Sequence, residues 1–228
     1  MKRAGSEQGQ PKKAARGASD RALTKEEAAV YDRQLRVWGV AAQQKMLTSS
    51  LLVVGMGGVS CEICKNLILA GLGSVTLMDS GNVAQRDLAA NFFLDESSVG
   101  SNRAVSSRDN AAELNPFVNV SARTEDAAGQ DAEFFKAFDL VIVSLASHAD
   151  QIRINDMCRA TNTMFMSTDV YGLCGSIFAD LLPELTYTIE VAAADGLTAI
   201  LAARRVIPFV IILMGWATRN DSGGRAIC

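Results

Sequence analysis

The chain has 228 residues, of which 22 are Lys or Arg and 25 are Asp or Glu, so its formal net charge is −3. That balance gives no global basic field, and we do not expect nucleic acid as a main partner. The single histidine, His148, argues against a Ser–His–Asp hydrolase and a histidine-ligated metal site, and the five irregularly spaced cysteines favour a reducing compartment.

The N-terminal segment is rich in Gly, Ala, Ser, Gln, Lys and Arg and has no apolar period. Residues 1–22 are therefore predicted to form a disordered basic tail. Within it, Lys12, Lys13 and Arg16 form a short basic cluster, which is typical either of a minimal nuclear-import signal or of an ordinary solvated tail.

Regular structure is predicted to begin at Thr24. Thr24 and Glu27 have the spacing of a capping box, in which a hydroxyl and a carboxylate satisfy free N–H groups at a helix start. The helical pattern continues as far as Gly39, a natural stop signal. A second helix is predicted over residues 41–47.

From residue 50 onward, short apolar runs alternate with helical patterns. Strands are predicted over residues 51–54, 75–78, 117–122, 139–145 and 164–167, with an antiparallel strand over 176–182, and helices over 59–70, 102–114 and 149–160. This order predicts an α/β fold, a Rossmann-like, doubly wound, mostly parallel sheet with N-terminal helices. The predicted domain spans residues 23–182.

The C-terminal segment, residues 183–228, shows no clear alternation of elements and turns, so it is treated as divergent or incomplete. Its longest apolar run, residues 206–217, is shorter than the ~20 residues needed to cross a bilayer. We therefore expect no membrane partner.

A glycine-rich turn joins the first predicted core strand to the helix that follows. It reads Gly55-Met56-Gly57-Gly58, and Asp79 ends the next strand about twenty residues later. Glycines allow close backbone approach to a phosphate at a helix N-terminus, and the carboxylate can accept hydrogen bonds from a ribose diol. Gly55, Gly57, Gly58 and Asp79 thus predict a nucleotide turn. The alternative is that the glycines serve only close packing of helix against strand.

Six stretches occur in a specific order along the chain: residues 31–39 (YDRQLRVWG), 65–71 (KNLILAG), 91–94 (NFFL), 99–104 (VGSNRA), 114–116 (LNP) and 169–172 (DVYG). Together they resemble the ubiquitin-like modifier-activating enzymes, whose fold is similar to that of bacterial ThiF and MoeB. The resemblance covers residues 26–182 and is greatest to the non-thioester subunits of the branch that activates SUMO.

The resemblance implies two related halves that pair. One half binds ATP and magnesium, adenylates the C-terminal glycine of the modifier and passes it to a cysteine as a thioester. An active half carries an Asn and an Arg for the phosphates where this chain has Asp87 and Ala90, a Lys where it has Arg103, and a metal-binding Asp where residues 144–147 read Ser-Leu-Ala-Ser. Because adenylation needs cations around the triphosphate, this half is expected to be inactive, with a vestigial nucleotide turn, no metal ligands, and ATP and magnesium bound by the partner.

The same resemblance implies a role for Arg33. In the family, the Arg of the Tyr-x-Arg-Gln segment reaches across the dimer to the ATP phosphates of the partner, and a guanidinium forks well onto phosphate oxygens. Arg33 is therefore the expected catalytic contribution of this chain, made in trans to a thioester-forming subunit that activates SUMO. Without the family context, the alternative is a surface ion pair with Asp32 or Glu26.

Other functions stay open at this point. They are the regulatory subunit of a neddylation-activating enzyme, a self-sufficient ThiF-like adenylating homodimer, an NAD-binding oxidoreductase and a non-catalytic interaction scaffold. The resemblance implies a nuclear location, with some of the protein in the cytoplasm. Cys61 and Cys64 lack a second Cys-x-x-Cys and are predicted to pack in the core. His148 is predicted to lie on the surface at a helix start.

Family members of this subunit class run well past 228 residues, and their C-terminal portion completes the sheet and the dimer surface. After Pro183 the chain cannot be matched to that portion. If strands are missing there, an apolar sheet edge is expected to be uncovered.

Overall fold

The computed structural model describes residues 21–182 in full and the backbone of residues 186–192, 198–204 and 209–214. The α-helices of this described part are α1 Lys25–Val30, α2 Asp32–Leu47, α3 Gly58–Ala70, α4 Arg103–Ala112, α5 Ala132–Phe135 and α6 His148–Ala160. The strands are β1 Ser50–Val54, β2 Ser74–Met78, β3 Asn119–Arg123, β4 Leu140–Val143, β5 Met164–Tyr171, β6 Cys174–Asp180, β7 Thr186–Ala192, β8 Thr198–Arg204 and β9 Phe209–Met214. Short 3-10 helices cover Gln85–Ala89, Glu96–Ser98 and Ala127–Gly129.

Seven strands form one sheet in the order β3-β2-β1-β4-β5-β6-β9. The first five strands of this order are parallel to one another, whereas β6 pairs antiparallel with β5 and with β9. The order of the parallel strands is that of a Rossmann fold, and it reverses between β1 and β4. The predicted α/β fold, a doubly wound and mostly parallel sheet with N-terminal helices, is confirmed.

The core lies on both faces of the central strand β1, all five residues of which are buried. Leu51 and Val53 belong to one cluster and Leu52 and Val54 to the other, as expected for a strand covered on both sides. The first cluster adds residues of α3 and α4: Cys61, Cys64, Ile68, Ala104 and Ala111. The second adds residues of α5, of α6 and of the loop after α5: Phe135, Phe138, Ile154 and Cys158.

The N-terminal helices begin and end where local sequence signals place them, with one addition. The predicted capping box is confirmed, because Thr24 Oγ1 accepts a hydrogen bond from the N–H of Glu27 and the Glu27 carboxylate accepts one from the N–H of Thr24. Gly39 has φ 81° and ψ 169°, so it breaks α2 as predicted. Tyr31 also separates α1 from α2, which the sequence pattern did not predict.

Several strand boundaries differ from the predicted ones, and two of these differences have clear local reasons. β3 begins at Asn119 rather than at residue 117, because the N–H of Val118 closes a turn onto the carbonyl of Asn115 at 3.2 Å. β5 continues to Tyr171 rather than ending at residue 167, because its last four residues pair with β6. The longer β5 and β6 form a hairpin that extends beyond the parallel part of the sheet.

The C-terminal segment contributes a strand to the main sheet. β9 pairs with β6 from Phe209 to Met214, so β6 is not the sheet edge that missing strands were expected to leave uncovered. β7 and β8 form a separate antiparallel pair. Among the described residues, no helix combines the length and apolar character of a membrane span. The basic cluster Lys12, Lys13 and Arg16 lies outside the described residues.

Candidate functional site

The glycine-rich turn lies where the strand order of the sheet reverses. Gly55 follows β1 directly, between β2 on one side and β4 on the other. Its φ is +82°, and a Cβ at this position would lie 2.1 Å from the carbonyl oxygen of Ser144 at the end of β4. Both features require glycine. Open α/β sheets bind ligands in the crevice at such a switch point, and the glycine turn lies there.

The other two glycines of the turn are covered by neighbouring protein atoms. A Cβ on Gly57 would lie 2.9 Å from Cδ1 of Leu145, and a Cβ on Gly58 would lie 3.0 Å from both Cβ and O of Ala90. Leu145 has φ 58°, a left-handed conformation that is uncommon for leucine. The close-packing alternative therefore accounts for Gly55, where the backbone of Ser144 leaves no room for a side chain. At Gly57 the neighbour is the end of the exposed Leu145 side chain, and at Gly58 a small shift of Ala90 would make room, so glycine is less strictly required at these two positions.

Asp79 reaches the turn as predicted, but its carboxylate is already used to hold the backbone. Oδ2 accepts a hydrogen bond from the N–H of Met56 within the turn at 2.7 Å, and Oδ1 accepts one from the N–H of Gly81 at 2.7 Å. The Asp79 carbonyl accepts a further bond from Asn102 Nδ2 at 2.6 Å. With 8% of its surface exposed, Asp79 is a buried structural acceptor for the residues around it.

Arg103 is the cation nearest to this carboxylate, and its charge is balanced from two sides. Its Nε lies 3.3 Å from Asp79 Oδ2, and its Nη1 lies 3.9 Å from Asp87 Oδ2. The guanidinium packs against Gly81, where a Cβ would lie 2.1 Å from Nη2. Arg103 thus takes part in a local carboxylate–guanidinium cluster, which we call the Asp79–Arg103–Asp87 cluster, and its charge is not free for a phosphate.

The crevice beside this cluster has a volume of about 260 Å³ and an acidic lining. Its charged lining residues are Arg103, Asp79, Glu125, Asp126 and Asp150. With Arg103 paired, the remaining charge is negative, and a triphosphate does not fit this lining because like charges repel in a partly desolvated site. Among the side chains that the structure describes, no group of three His, Cys, Asp or Glu is arranged to hold a metal ion.

Arg33 lies on α2, outside the lining of this crevice, and is exposed. Its neighbour Asp32 pairs with Arg36 one helical turn away, at 2.7 Å. Across residues 21–182 Arg33 makes no ion pair, so the alternative of a surface pair with Asp32 or Glu26 is wrong for this part of the chain. Asp32 pairs with Arg36 rather than with Arg33 because residues four apart face each other on a helix, whereas adjacent residues do not.

Several exposed apolar side chains lie on the N-terminal helices that include Arg33, and one lies at the end of α3. Val30 and Val37 are 61% and 78% exposed, and Val40 and Leu69 are also exposed. We call Val30, Arg33, Val37, Val40 and Leu69 the N-terminal helix surface. Exposed apolar side chains near an unpaired cation are typical of a protein–protein contact.

Three of the sequence stretches that resemble the activating enzymes meet behind this surface. Tyr31 is fully buried, and its hydroxyl accepts a hydrogen bond from Asn115 Nδ2 at 2.9 Å. The same amide group donates to the carbonyl of Ile68 at 2.9 Å. Gly71 leaves room for the tyrosine ring, since a Cβ there would lie 2.5 Å from the ring carbon that bears the hydroxyl. The tyrosine therefore anchors the helix that presents Arg33.

The remaining candidate residues have structural roles. Cys61 and Cys64 are fully buried, which confirms core packing, and burial raises the pKa of the Cys64 thiol to about 12. A thiol with such a pKa stays protonated at neutral pH and is a poor nucleophile. His148 is exposed at the first position of α6, as predicted, behind the helix cap formed by Ser147.

Comparison with known proteins identifies the family. The sequence model of the ThiF family matches residues 31–215. The chain belongs to the ThiF family. This ThiF-family chain is 44% identical over 159 residues to SUMO-activating enzyme subunit 1 of Xenopus laevis and 40% identical over 159 residues to that of Homo sapiens. Each alignment covers 70% of this chain and 46% of the relative.

The alignment with a third relative covers slightly more of the chain. SUMO-activating enzyme subunit 1 of Danio rerio is 39% identical over 171 residues, which cover 75% of this chain and 49% of the relative. The chain thus spans about half the length of the curated relatives it matches. The recognised resemblance to the small subunits of SUMO-activating enzymes is confirmed at the level of sequence similarity.

The sequence predicted that the glycines and Asp79 lie together, but it did not predict that Leu145 packs against the turn or that Arg103 pairs with Asp79. No local pattern predicts that Leu145 adopts a left-handed backbone, since this conformation favours glycine and asparagine. The pairing of Arg103 with Asp79 depends on the loop between β2 and α4 folding back. Asn115 and Tyr31 were found as parts of family-like stretches, but only the structure shows that they contact each other.

Proposed function

We propose that this chain is the non-thioester subunit of a heterodimeric enzyme that activates SUMO. In this proposal the partner subunit binds ATP and magnesium, adenylates the C-terminus of SUMO and carries the thioester cysteine. Membership of the ThiF family and similarity to relatives named SUMO-activating enzyme subunit 1 support the proposal. A nuclear location, with some protein in the cytoplasm, belongs to the same proposal, and fluorescence imaging of the tagged chain tests it.

One observation carries the assignment of the catalytic role, namely the contrast between two arginines. Arg103, in the crevice, lies 3.3 Å from the Asp79 carboxylate and 3.9 Å from that of Asp87, whereas Arg33 is exposed and has no ion pair among residues 21–182. An arginine supplied in trans stabilises the charge that develops on a phosphate during transfer, because its planar fork matches phosphate oxygens. We therefore assign to Arg33 the contact with the triphosphate bound by the partner.

Reconstitution with the catalytic subunit tests this assignment. The complete chain is mixed with the thioester-forming subunit, SUMO, Mg²⁺ and ATP, and ATP–pyrophosphate exchange is measured. Arg33→Ala is expected to lower the exchange rate by about 100-fold, the effect of removing one preorganised charge-stabilising donor. The matched control is Arg36→Ala on the same helix, which loses only an exposed pair with Asp32 and should stay within about twofold of the unmodified chain.

Each other outcome favours a different function. Equal exchange with and without this chain contradicts the proposal outright. Exchange by the chain alone favours a self-sufficient adenylating homodimer, and exchange with the neddylation modifier but not with SUMO favours the neddylation branch. A stable complex whose exchange does not respond to Arg33→Ala favours an interaction scaffold.

A further inference from the structure

The C-terminal end of α3 binds side chains from two other parts of the chain. The last carbonyls of a helix have no partner within the helix and must be satisfied from outside. Here three consecutive carbonyls receive side-chain amides. Asn115 Nδ2 donates to the carbonyl of Ile68 at 2.9 Å, Gln34 Nε2 to that of Leu69 at 3.1 Å, and Gln43 Nε2 to that of Ala70 at 2.8 Å.

Gln34 is the member of this set that lies next to Arg33. Adjacent residues point about 100° apart around a helix axis, so fixing one of them fixes the direction of the other. When Gln34 is turned inward onto the Leu69 carbonyl, Arg33 is turned outward, and the structure places it in solvent. The hydrogen bond of Gln34 therefore helps to set the rotation of the first half of α2, together with the buried ring of Tyr31.

Few contacts other than the Gln34 hydrogen bond hold the segment of α2 that contains Arg33. Gly39 interrupts α2, so the segment that contains Arg33 is a short helical piece between Tyr31 and that break. Tyr31 holds the start of this piece through its buried ring, and Gln34 holds the next turn. Short helices depend on such tertiary contacts because their own propensity is insufficient.

We propose that Gln34 is a positioning residue for Arg33, acting through its hydrogen bond to the carbonyl of Leu69. The inference rests on the proposed function, in which Arg33 contacts the triphosphate held by the partner. Loss of the Gln34 donor releases the helical turn that carries Arg33 and moves the guanidinium away from its working position. Misplacement of a catalytic group by about 1 Å can lower a rate by about 100-fold, so even a partial release is measurable.

The test uses the complete chain in complex with the thioester-forming subunit, with SUMO, Mg²⁺ and ATP. Gln34→Met keeps the length of the side chain but removes the donor, and it should lower the rate of pyrophosphate exchange by about tenfold. Gln34→Lys restores a donor at the C-terminal end of α3, where a positive charge is favoured, and should stay within about twofold. Lysine also removes the Gln34 Oε1 acceptor, which is buried without a partner among the described residues.

The matched control is Gln44→Met. Gln44 lies on the same helix and its amide donates to the carbonyl of Arg21 at 3.0 Å, so the substitution removes a similar bond that does not involve α3. Its exchange rate should stay within about twofold of the unmodified chain. Melting temperature and gel filtration of each complex check that the variants are folded and paired. If Gln34→Met does not fold, Gln34→Glu, which lacks the donor and keeps the length, takes its place.

A second background separates positioning from a merely structural role. In a chain that already carries Arg33→Ala, Gln34→Met should cause no further loss of exchange, because the group that it positions is gone. An equal loss in both backgrounds, or full activity of Gln34→Met alone, overturns the inference. If Arg33→Ala itself has no effect, the proposed function fails. If Arg33→Ala lowers exchange and Gln34→Met does not, only the positioning role of Gln34 fails.

Discussion

The crevice at the carboxyl end of β1 and the N-terminal helix surface each contain an arginine, and the environments of the two arginines are opposite. In the crevice, Arg103 is held between Asp79 and Asp87, and the surrounding lining is acidic. On the N-terminal helix surface, Arg33 is exposed beside apolar side chains and has no ion pair among residues 21–182. The crevice lies where open α/β sheets bind ligands but has an acidic lining, whereas the helix surface carries an exposed arginine outside any enclosed site.

The comparison separates two properties of a site, because the position of a crevice in the fold does not determine the charges that line it. Within the crevice, Asp79 accepts two backbone hydrogen bonds and pairs with Arg103, so changes at Asp79 should affect stability more than activity. The reverse should hold on the N-terminal helix surface, where Arg33 contributes little to the fold. Function must therefore be assigned from the charges around each candidate site, because a fold alone does not decide which site reacts.

The largest expected effect lies at the glycine turn. Gly55→Ala adds a Cβ that would meet the carbonyl oxygen of Ser144 at 2.1 Å and sits at φ +82°, so it should lower the free energy of unfolding by at least about 4 kcal/mol. Urea unfolding followed by circular dichroism measures this loss. Gly100→Ala, with φ +87° and open space around it, should cost about 1 kcal/mol, and Gly129→Ala, which has open space and an ordinary φ, should cost less than about 0.5 kcal/mol. If Gly55→Ala is no worse than Gly100→Ala, the close approach of Ser144 is wrong.

The next effect tests the support behind the N-terminal helix surface. Asn115→Ala removes the amide that binds both Tyr31 Oη and the Ile68 carbonyl and leaves these buried groups unpaired. We expect a loss of about 3 kcal/mol in the free energy of unfolding. Asn66→Ala is the control, because the exposed Asn66 amide bonds only to the carbonyl of Glu62 on its own helix, and it should cost less than about 0.5 kcal/mol. Equal losses for the two variants would show that the buried contact adds nothing.

A smaller effect separates stability from activity inside the crevice. Asp79→Asn keeps the shape of the side chain but weakens the acceptors for the N–H groups of Met56 and Gly81 and leaves Arg103 with less compensation. The free energy of unfolding should fall by about 2 kcal/mol. ATP–pyrophosphate exchange of the complex with the catalytic subunit should stay within about twofold, measured below the melting temperature of the variant. A large loss of exchange in a fully folded complex would mean that the crevice takes part in the reaction.

The smallest effect concerns the side chain that covers the turn. Leu145→Gly places glycine at φ 58°, where leucine is disfavoured, so it should raise the free energy of unfolding by about 0.5 kcal/mol. Leu173→Gly is the control, because Leu173 is similarly exposed but is not among the described residues with positive φ, and it should be slightly destabilising. Thermal unfolding by calorimetry measures both. Equal changes for the two leucines would indicate that the Leu145 backbone is not strained.

The sequence predicted the parts of the molecule that depend on local signals. Apolar runs located the parallel strands, Gly39 located the break in α2, and the glycines with Asp79 located the turn at the end of β1. These features were predictable because a buried strand needs a continuous apolar run and a tight turn needs glycine.

The features that decide function depend on residues far apart in the sequence. The Asp79–Arg103–Asp87 cluster forms because the segment between β2 and α4 folds back onto the turn. The side chains that cap α3 come from α2 and from the turn before β3. β9 joins the sheet through pairing with β6, although its sequence showed no clear alternation. None of these contacts can be predicted from a local sequence pattern.

The most direct measurement titrates Mg·ATP into the isolated chain by calorimetry. If the crevice has lost its nucleotide chemistry and Arg33 serves a site on the partner, no saturable binding should appear up to about 1 mM ATP. Saturable binding with a Kd in the micromolar range, lost in the Asp79→Asn variant, would contradict this account, because it would place a working nucleotide site in this chain.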